Sequence, residues 1–515
     1  MPPSDADRPP PVPPPPVADP PKLSILARTT RGAGWIFAFR LFTRVLGTFS
    51  NIILAALLLP ADFGIWTLGT ASMQMVETLS YVGVEDALVR EKAPDRAMYN
   101  TGFTLNLLRG LLVGAVMALA AYPVSLFYQQ PALLPVLLIL GLGSVIEAAG
   151  NIGMVDYRRS FEFDREFFWL AVPRVLQVLT MIVVAVLTRS YVALLAGIMV
   201  ARVVKWVMGY VLHPFRPRLS LASWRHLLGF SAWTWVVSMA VLLRDQAPKA
   251  VIGFMLPAKI LGMFGFGMDL AGMPITELVA PMSRSAFSGF SVGRHEGESG
   301  GETYLRIVSF IAVFTVPVGV GLSLVADPLV RLALGTEWLG TVPLISIVSL
   351  LSSFAVYGYL GWTLFFAHGR LKLVFVITAT GALLRLLLLY LLLPRLELVG
   401  AALAVFLTSM LEDLAYIVLV RIYFAARFSV LWARNWRFLF AALLMAVVLY
   451  AAGLGWVPVV ADRLTLSLHL LLVVPLGAAL YAGTLVATWM LSGRPDGTEA
   501  DLLRLIAGRL ARVRR

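Results

Sequence analysis

The sequence predicts an all-α polytopic membrane protein with about fourteen transmembrane helices. Three observations carry that expectation. The 515-residue chain is 59% hydrophobic and 14% charged, with a mean hydropathy of +0.83, whereas soluble domains have roughly 25% charged residues. Apolar segments of about 20 residues recur along the whole length and leave no room for a separate soluble domain. The basic residues then alternate between the segments that join them, as membrane topology requires.

In chain order, residues 1–22, MPPSDADRPPPVPPPPVADPPK, are too proline-rich and too poor in apolar side chains to fold. A disordered cytoplasmic tail is expected over 1–32, passive rather than a ligand for a partner. Spans are expected at about 33–59, 64–88, 100–122, 133–155, 167–187, 190–212, 227–256, 260–283, 303–326, 342–367, 372–393, 397–420, 438–456 and 466–491. Pro60, Pro123, Pro257, Pro328 and Pro394 mark joins between them. With both termini cytoplasmic, the outside segments hold only Arg189, Lys259, Arg331, Arg395 and Arg463, out of 42 Lys and Arg residues. This distribution accounts for the net charge of +13 without nucleic acid.

A weak repeat divides the chain. Leu59-Pro60-Ala61 is echoed by Leu256-Pro257-Ala258, and Pro123 with Pro135 by Pro328 with Pro343. The expected organisation is a six-helix bundle over 33–212, a cytoplasmic linker at 213–226 and a second bundle of the same orientation over 227–424. An extra helix pair (425–491) and a basic cytoplasmic tail (492–515) follow. Parallel repeats of this kind commonly hold a substrate between them.

Polar residues inside spans point to that site. Arg40, Arg44, Gly47 and Asn51 step by helical turns along one face of span one, and an arginine near a bilayer centre costs at least a few kcal/mol unless it faces protein or water. In span two, Thr67, Thr70, Gln74, Glu77 and Tyr81 form a second stripe. Span seven carries Arg244, Asp245 and Lys249 beside Pro248, and span eight carries Asp269. Arg109, Arg174, Arg202, Lys205, Arg385, Glu412 and Asp413 are also within spans; Arg109, Arg202, Lys205 and Glu412 are expected to reach toward headgroups from span ends. Trp233, Trp235, Trp362, Tyr357 and Tyr359 are aromatic candidates for stacking on a bound ring, against an interfacial role for most.

An excess of guanidinium and ammonium groups suits a phosphate or diphosphate. The candidate anion-binding residues are Arg40, Arg44, Arg244 and Lys249. Asn51, Gln74, Glu77, Asp245 and Asp269 are the candidate cavity and coupling residues. A carboxylate such as Glu77 or Asp245 would neutralise the wall when empty, or exchange H+ or Na+. No cofactor is expected. The chain lacks cysteine, its five histidines have no neighbours at ligand spacing, and G-x-x-x-x-G-K-[ST], G-x-G-x-x-G and H-E-x-x-H are absent.

The chain resembles the polysaccharide (O-antigen type) flippases of the multidrug/oligosaccharidyl-lipid/polysaccharide exporter superfamily. The resemblance rests on LLLPADFGIWTLG (57–69), VGVEDALVREK (82–92), NTGFTLNLLRGLL (100–112), RRSFEFDREF (158–167), HPFRPRLSLASWRHLLGFSAW (213–233) and DPLVRLALGTEWLGTVPLISIVSL (327–350), in order across most of residues 30–430. It implies two six-helix bundles around a V-shaped central cavity like that of the multidrug exporters, with the first, second, seventh and eighth helices lining it. It also implies transfer of a polyprenyl-diphosphate-linked saccharide from the cytoplasmic to the periplasmic leaflet of the bacterial inner membrane, for capsule, O-antigen or exopolysaccharide assembly. Membrane lipids and polysaccharide polymerase or export machinery are the implied partners. Where relatives often have an acidic residue followed by a basic or amide residue, this chain has Pro248-Lys249 before Ala-Val-Ile-Gly253. The related peptidoglycan-precursor flippases share an element like Arg44–Gly47 and are the nearest alternative. A drug antiporter fits poorly with a basic cavity. A membrane glycosyltransferase or polymerase fits poorly with short outside loops.

Overall fold

The computed structural model describes residues 42–500, apart from 82, 92–93, 161, 228–231, 284–285, 288, 291–299 and 496. The proline-rich tail, Arg40 and the basic residues from 501 onward lie outside the described residues.

The described chain is almost wholly helical. The principal helices are α1 (Phe42–Leu57), α2 (Pro60–Leu79), α3 (Arg96–Phe127), α4 (Leu133–Ala148), α5 (Phe163–Thr188), α6 (Val192–Leu212) and α7 (Ala232–Met255). They continue with α8 (Ala258–Ala271), α9 (Gly300–Leu324), α10 (Val342–Ser352), α11 (Ala355–Ala367), α12 (Leu371–Phe424), α13 (Phe428–Ala451) and α14 (Arg463–Leu491). Among the described residues, 7 helices are long and apolar enough to cross a membrane, or up to 9 if each of two bent pairs is one span. The protein is therefore a multi-pass membrane protein.

The difference from about fourteen expected spans has physical causes. Helix α12 has 54 residues, about 80 Å if straight at 1.5 Å per residue, well beyond a bilayer. It instead folds back at Glu397 (φ 45°, ψ −122°). Arg385 Nε donates to Thr408 Oγ1 across the two arms at 2.9 Å, so the arms run antiparallel. Helices α2 and α7 have 20 and 24 residues but carry the polar stripes and charges that lower their hydropathy.

Three other expectations shift. The second span ends at Leu79, because Gly83 takes a left-handed conformation (φ 71°) and starts the separate short helix Val84–Arg90. The eighth is interrupted after Ala271 by Gly272, Met273 and Pro274, followed by a π-helical turn, Ile275–Val279. The tenth divides into α10 and α11, bent by 52°. The G-x-x-x-G of α3 packs closely on α4: a methyl group at Gly110 would sit 2.1 Å from Ala148 Cβ.

The repeated Leu-Pro-Ala elements meet each other. Pro60 opens α2, and Asp62 accepts from the backbone N–H groups of Leu59 (3.1 Å) and Tyr191 (2.9 Å). A methyl group at Gly64 would lie 1.9 Å from the Ala258 carbonyl oxygen, and one at Gly262 would lie 1.7 Å from that of Pro60. Only glycine permits this reciprocal crossing of α2 and α8. Phe63, Phe266 and Trp338 close over it with ring centroids 5.0–5.5 Å apart. The Trp338 indole N–H donates to the Ala55 carbonyl at 3.0 Å. Along α2, Thr67 meets Gly265, Leu68 meets Gly253 and Gln74 meets Gln246. The two halves of the chain are thus sealed from the Pro60 end as far as Gln74.

Candidate functional site

Beside this seal, α1, α2, α5, α7 and α8 line two adjoining chambers. The first, about 400 Å³, is lined by Arg44, Gly47, Asn51, Arg174, Asp269 and Thr276 among others. The second, about 220 Å³, has Trp66, Thr67, Thr70, Gln177 and Lys249 on its wall. Asn51, Arg174, Phe266 and Asp269 belong to both. The described part of the span-one stripe therefore faces a cavity, as its spacing predicts.

Each cation is held differently. Arg44 Nε pairs with Glu277 Oε1 at 3.0 Å, while its Nη2 is buried with no partner among the described residues. Lys249 Nζ donates to Gln246 Oε1 at 3.1 Å, and Gln246 Nε2 donates to Gln74 Oε1 at 2.8 Å. Arg174 follows Pro173 midway along α5, and its Nη1 donates to Gln177 Oε1 at 2.9 Å. It has no carboxylate partner among the described residues. Among the described residues, Arg44, Arg174 and Lys249 thus share the chambers with one carboxylate, Asp269, and Glu277 pairs with Arg44, an excess of positive charge in a partly dehydrated space.

Arg244 and Asp245 were expected in this cavity, yet they line neither chamber. They turn toward α12, where Arg244 Nε meets Asp245 Oδ1 at 2.9 Å and Nη1 meets Glu412 Oε2 at 3.1 Å. Arg385 joins them through Thr408 Oγ1 (2.9 Å), Ser409 Oγ (2.8 Å) and the Arg244 carbonyl (3.4 Å). Glu412 is therefore interhelical rather than interfacial. The reason is that α7 carries Arg244 and Lys249 on different faces, five residues or about 140° apart. Glu77 also lies outside both linings, in the field of Arg202, Glu147 and Arg109. Arg202, expected at a headgroup, is buried: Nη1 donates to the Leu140 carbonyl at 3.0 Å and Nε lies 3.5 Å from Glu147 Oε2. The proposed stacking aromatics also lie elsewhere; Trp362 packs on Phe366, and Tyr357 accepts from Asn435 Nδ2 at 2.8 Å. Trp66 and Phe266 stand in the chambers instead.

Sequence reasoning missed Glu277 and Gln246 and left Arg174 among the unassigned charges. The available signals were an acidic residue between Pro274 and Pro281, a glutamine one turn before Lys249, and an arginine at mid-span.

A family model described as "Polysaccharide biosynthesis protein" matches residues 53–343, more than half of the chain. The chain belongs to this family. It is 22% identical over 361 residues to the lipopolysaccharide biosynthesis protein WzxC of Escherichia coli, covering 68% of this chain and 73% of that one. It is 21% identical over 324 residues to the succinoglycan biosynthesis transport protein ExoT of Rhizobium meliloti, covering 62% and 65%. Its fold resembles a lipid II flippase, MurJ, in an inward closed conformation (TM-score 0.70, 14% identity, 88% of this chain and 98% of that chain). The all-α polytopic architecture is thus shared with that structure.

Proposed function

We propose that this protein is a flippase for a polyprenyl-diphosphate-linked oligosaccharide, moving it from the cytoplasmic to the periplasmic leaflet of the bacterial inner membrane by alternating access. The convergence of Arg44, Arg174 and Lys249 on chambers sealed at one end carries this reading. Guanidinium groups grip pairs of phosphate oxygens, and an ammonium adds a movable charge. The larger chamber, about 400 Å³, lies in the usual range for small-molecule sites, roughly 300–1,000 Å³. The product is chemically unchanged cargo, so the protein acts as a transporter, not an enzyme. The names of its relatives, in polysaccharide biosynthesis and transport, support the saccharide class.

In this reading the halves 33–212 and 227–424 rock about the α2–α8 crossing, and the pair 425–491 is an addition to them. The sealed Pro60–Pro257 end is periplasmic, and the termini are cytoplasmic. Asp269, sharing both chambers with the cations, is the residue for any H+ or Na+ coupling.

The test uses purified protein in liposomes with a fluorescent polyprenyl-diphosphate oligosaccharide in one leaflet. Transfer by the parent protein is expected to fall about 10- to 100-fold in Arg44→Gln, Arg174→Gln or Lys249→Gln, the effect of losing one or two charge-assisted contacts. Transfer unaffected by all three would overturn the site. Joining or transfer of sugars, with no movement, would overturn the function.

A further inference from the structure

We infer that Gln246 and Glu277 are positioning residues that hold the empty transporter shut through the same two cations that grip the cargo. The inference rests on the chamber being a diphosphate site.

Both cations lie on chains of contacts that cross between the halves. Arg44 belongs to α1, whereas Glu277 follows α8, and they meet at 3.0 Å. Thr276 Oγ1 donates to the same Glu277 oxygen at 2.9 Å and steadies it. Lys249 belongs to α7 and, among the described residues, reaches α2 through Gln246, whose amide accepts from the ammonium and donates to Gln74. Gln246 is 5% exposed, so water is a poor substitute for either partner. The Gln74–Gln246 bond also marks the inner limit of the seal that begins at Pro60 and Gly262.

A diphosphate brings several charged acceptor oxygens. It competes with a neutral amide oxygen for Lys249, and with a single carboxylate for Arg44, whose buried Nη2 has no hydrogen-bond partner among the described residues. An ammonium drawn into the chamber leaves the Gln246 carbonyl oxygen unpaired and weakens the hold of Gln246 on Gln74. An arginine engaged by phosphate releases Glu277, which sits on a π-helical turn flanked by Gly272 and Pro274 rather than on a regular helix. Cargo thereby loosens both cross-half contacts from within the cavity, shifting the population toward the form open at the Pro60–Pro257 end.

The absence of cysteine makes the test clean. In the full chain carrying Leu68→Cys, the reporter lies within the seal, where Leu68 is 3% exposed against Gly253. Thiol labelling should be slow in the empty protein and about tenfold faster with saturating inorganic pyrophosphate. Adding Gln246→Leu or Glu277→Gln should make labelling fast without pyrophosphate. Gln246→Glu, which retains acceptors for Lys249 and for the Gln74 amide, should stay slow. Gln74→Leu breaks the same contact from the other half and should reproduce Gln246→Leu, which guards against a folding defect in one variant. Slow labelling in Gln246→Leu, Gln74→Leu and Glu277→Gln, with a parent that still responds to pyrophosphate, overturns the latch and leaves the diphosphate site standing. Fast variants with a parent that ignores pyrophosphate overturn the exchange and the diphosphate reading together.

Discussion

Two arginines placed midway along comparable helices have opposite fates. Arg385, on the first arm of α12, is 6% exposed and held by Thr408, Ser409 and the Arg244 carbonyl, beside Glu412. Arg174, on α5, has one neutral side-chain partner and opens into both chambers. Charge inside a membrane is costly in either place. Where it is satisfied by fixed neighbours it joins helices; where it is left under-partnered it is available to an anion. Partnership, more than residue type or depth, separates the site from the scaffold.

The comparison breaks if the two arginines respond alike to substitution. Arg385→Leu should cost about 1–3 kcal/mol of stability, because Thr408, Ser409 and the Arg244 carbonyl lose a buried donor, and thermal unfolding in detergent would read this. Arg174→Gln should change stability by no more than about 0.5 kcal/mol while transfer falls by about 1.4–2.8 kcal/mol equivalent, 10- to 100-fold.

Gly262→Ala should sharpen the account of the seal. Its new methyl group meets the Pro60 carbonyl, and overpacking of this kind costs about 1–3 kcal/mol. In the Leu68→Cys background it should raise thiol labelling with or without pyrophosphate.

The smallest expected effect concerns the linker, away from both charged regions. Its backbone N–H groups at Arg218 and Ser220 donate to Asn100 Oδ1 and Thr104 Oγ1, both at 2.9 Å, and Asn151 Nδ2 donates to the Phe215 carbonyl at 2.9 Å. Burial holds the His213 imidazole below its ordinary value, against the opposing pull of Asp156, with Arg216 and Glu162 nearby. The folded form therefore favours neutral His213. The linker's docking is strongest above about pH 6.5 and weakens as pH falls from there through the lowered value. Hydrogen exchange over 214–223 should be faster at pH 5.5 than at 7.5 after correction for intrinsic rates, and His213→Gln should remove that difference.

Much of the fold was legible because hydropathy and Lys/Arg placement register how a chain meets a bilayer. The Leu-Pro-Ala repeat located the crossing of α2 and α8, and the Arg44–Gly47–Asn51 spacing found the cavity wall. Partnership was not legible. Lys249 and Arg244 are similar cations five residues apart, and only the position of α12, with Glu412 and Arg385, separates their roles. The π turn that presents Glu277 likewise depends on packing around Gly272 and Pro274, which periodicity does not encode.

The proposed function turns on recognition of a charged diphosphate head by the chambers. The most direct measurement compares binding of a fluorescent polyprenyl-diphosphate saccharide with that of the same lipid lacking the diphosphate, to the parent protein and to Arg44→Gln/Arg174→Gln/Lys249→Gln. Tight, salt-sensitive binding of the diphosphate form to the parent protein is expected, with a fall to the level of the neutral lipid in the triple variant. Equal binding of both lipids by the parent protein, or undiminished binding of the diphosphate form by the variant, would contradict it.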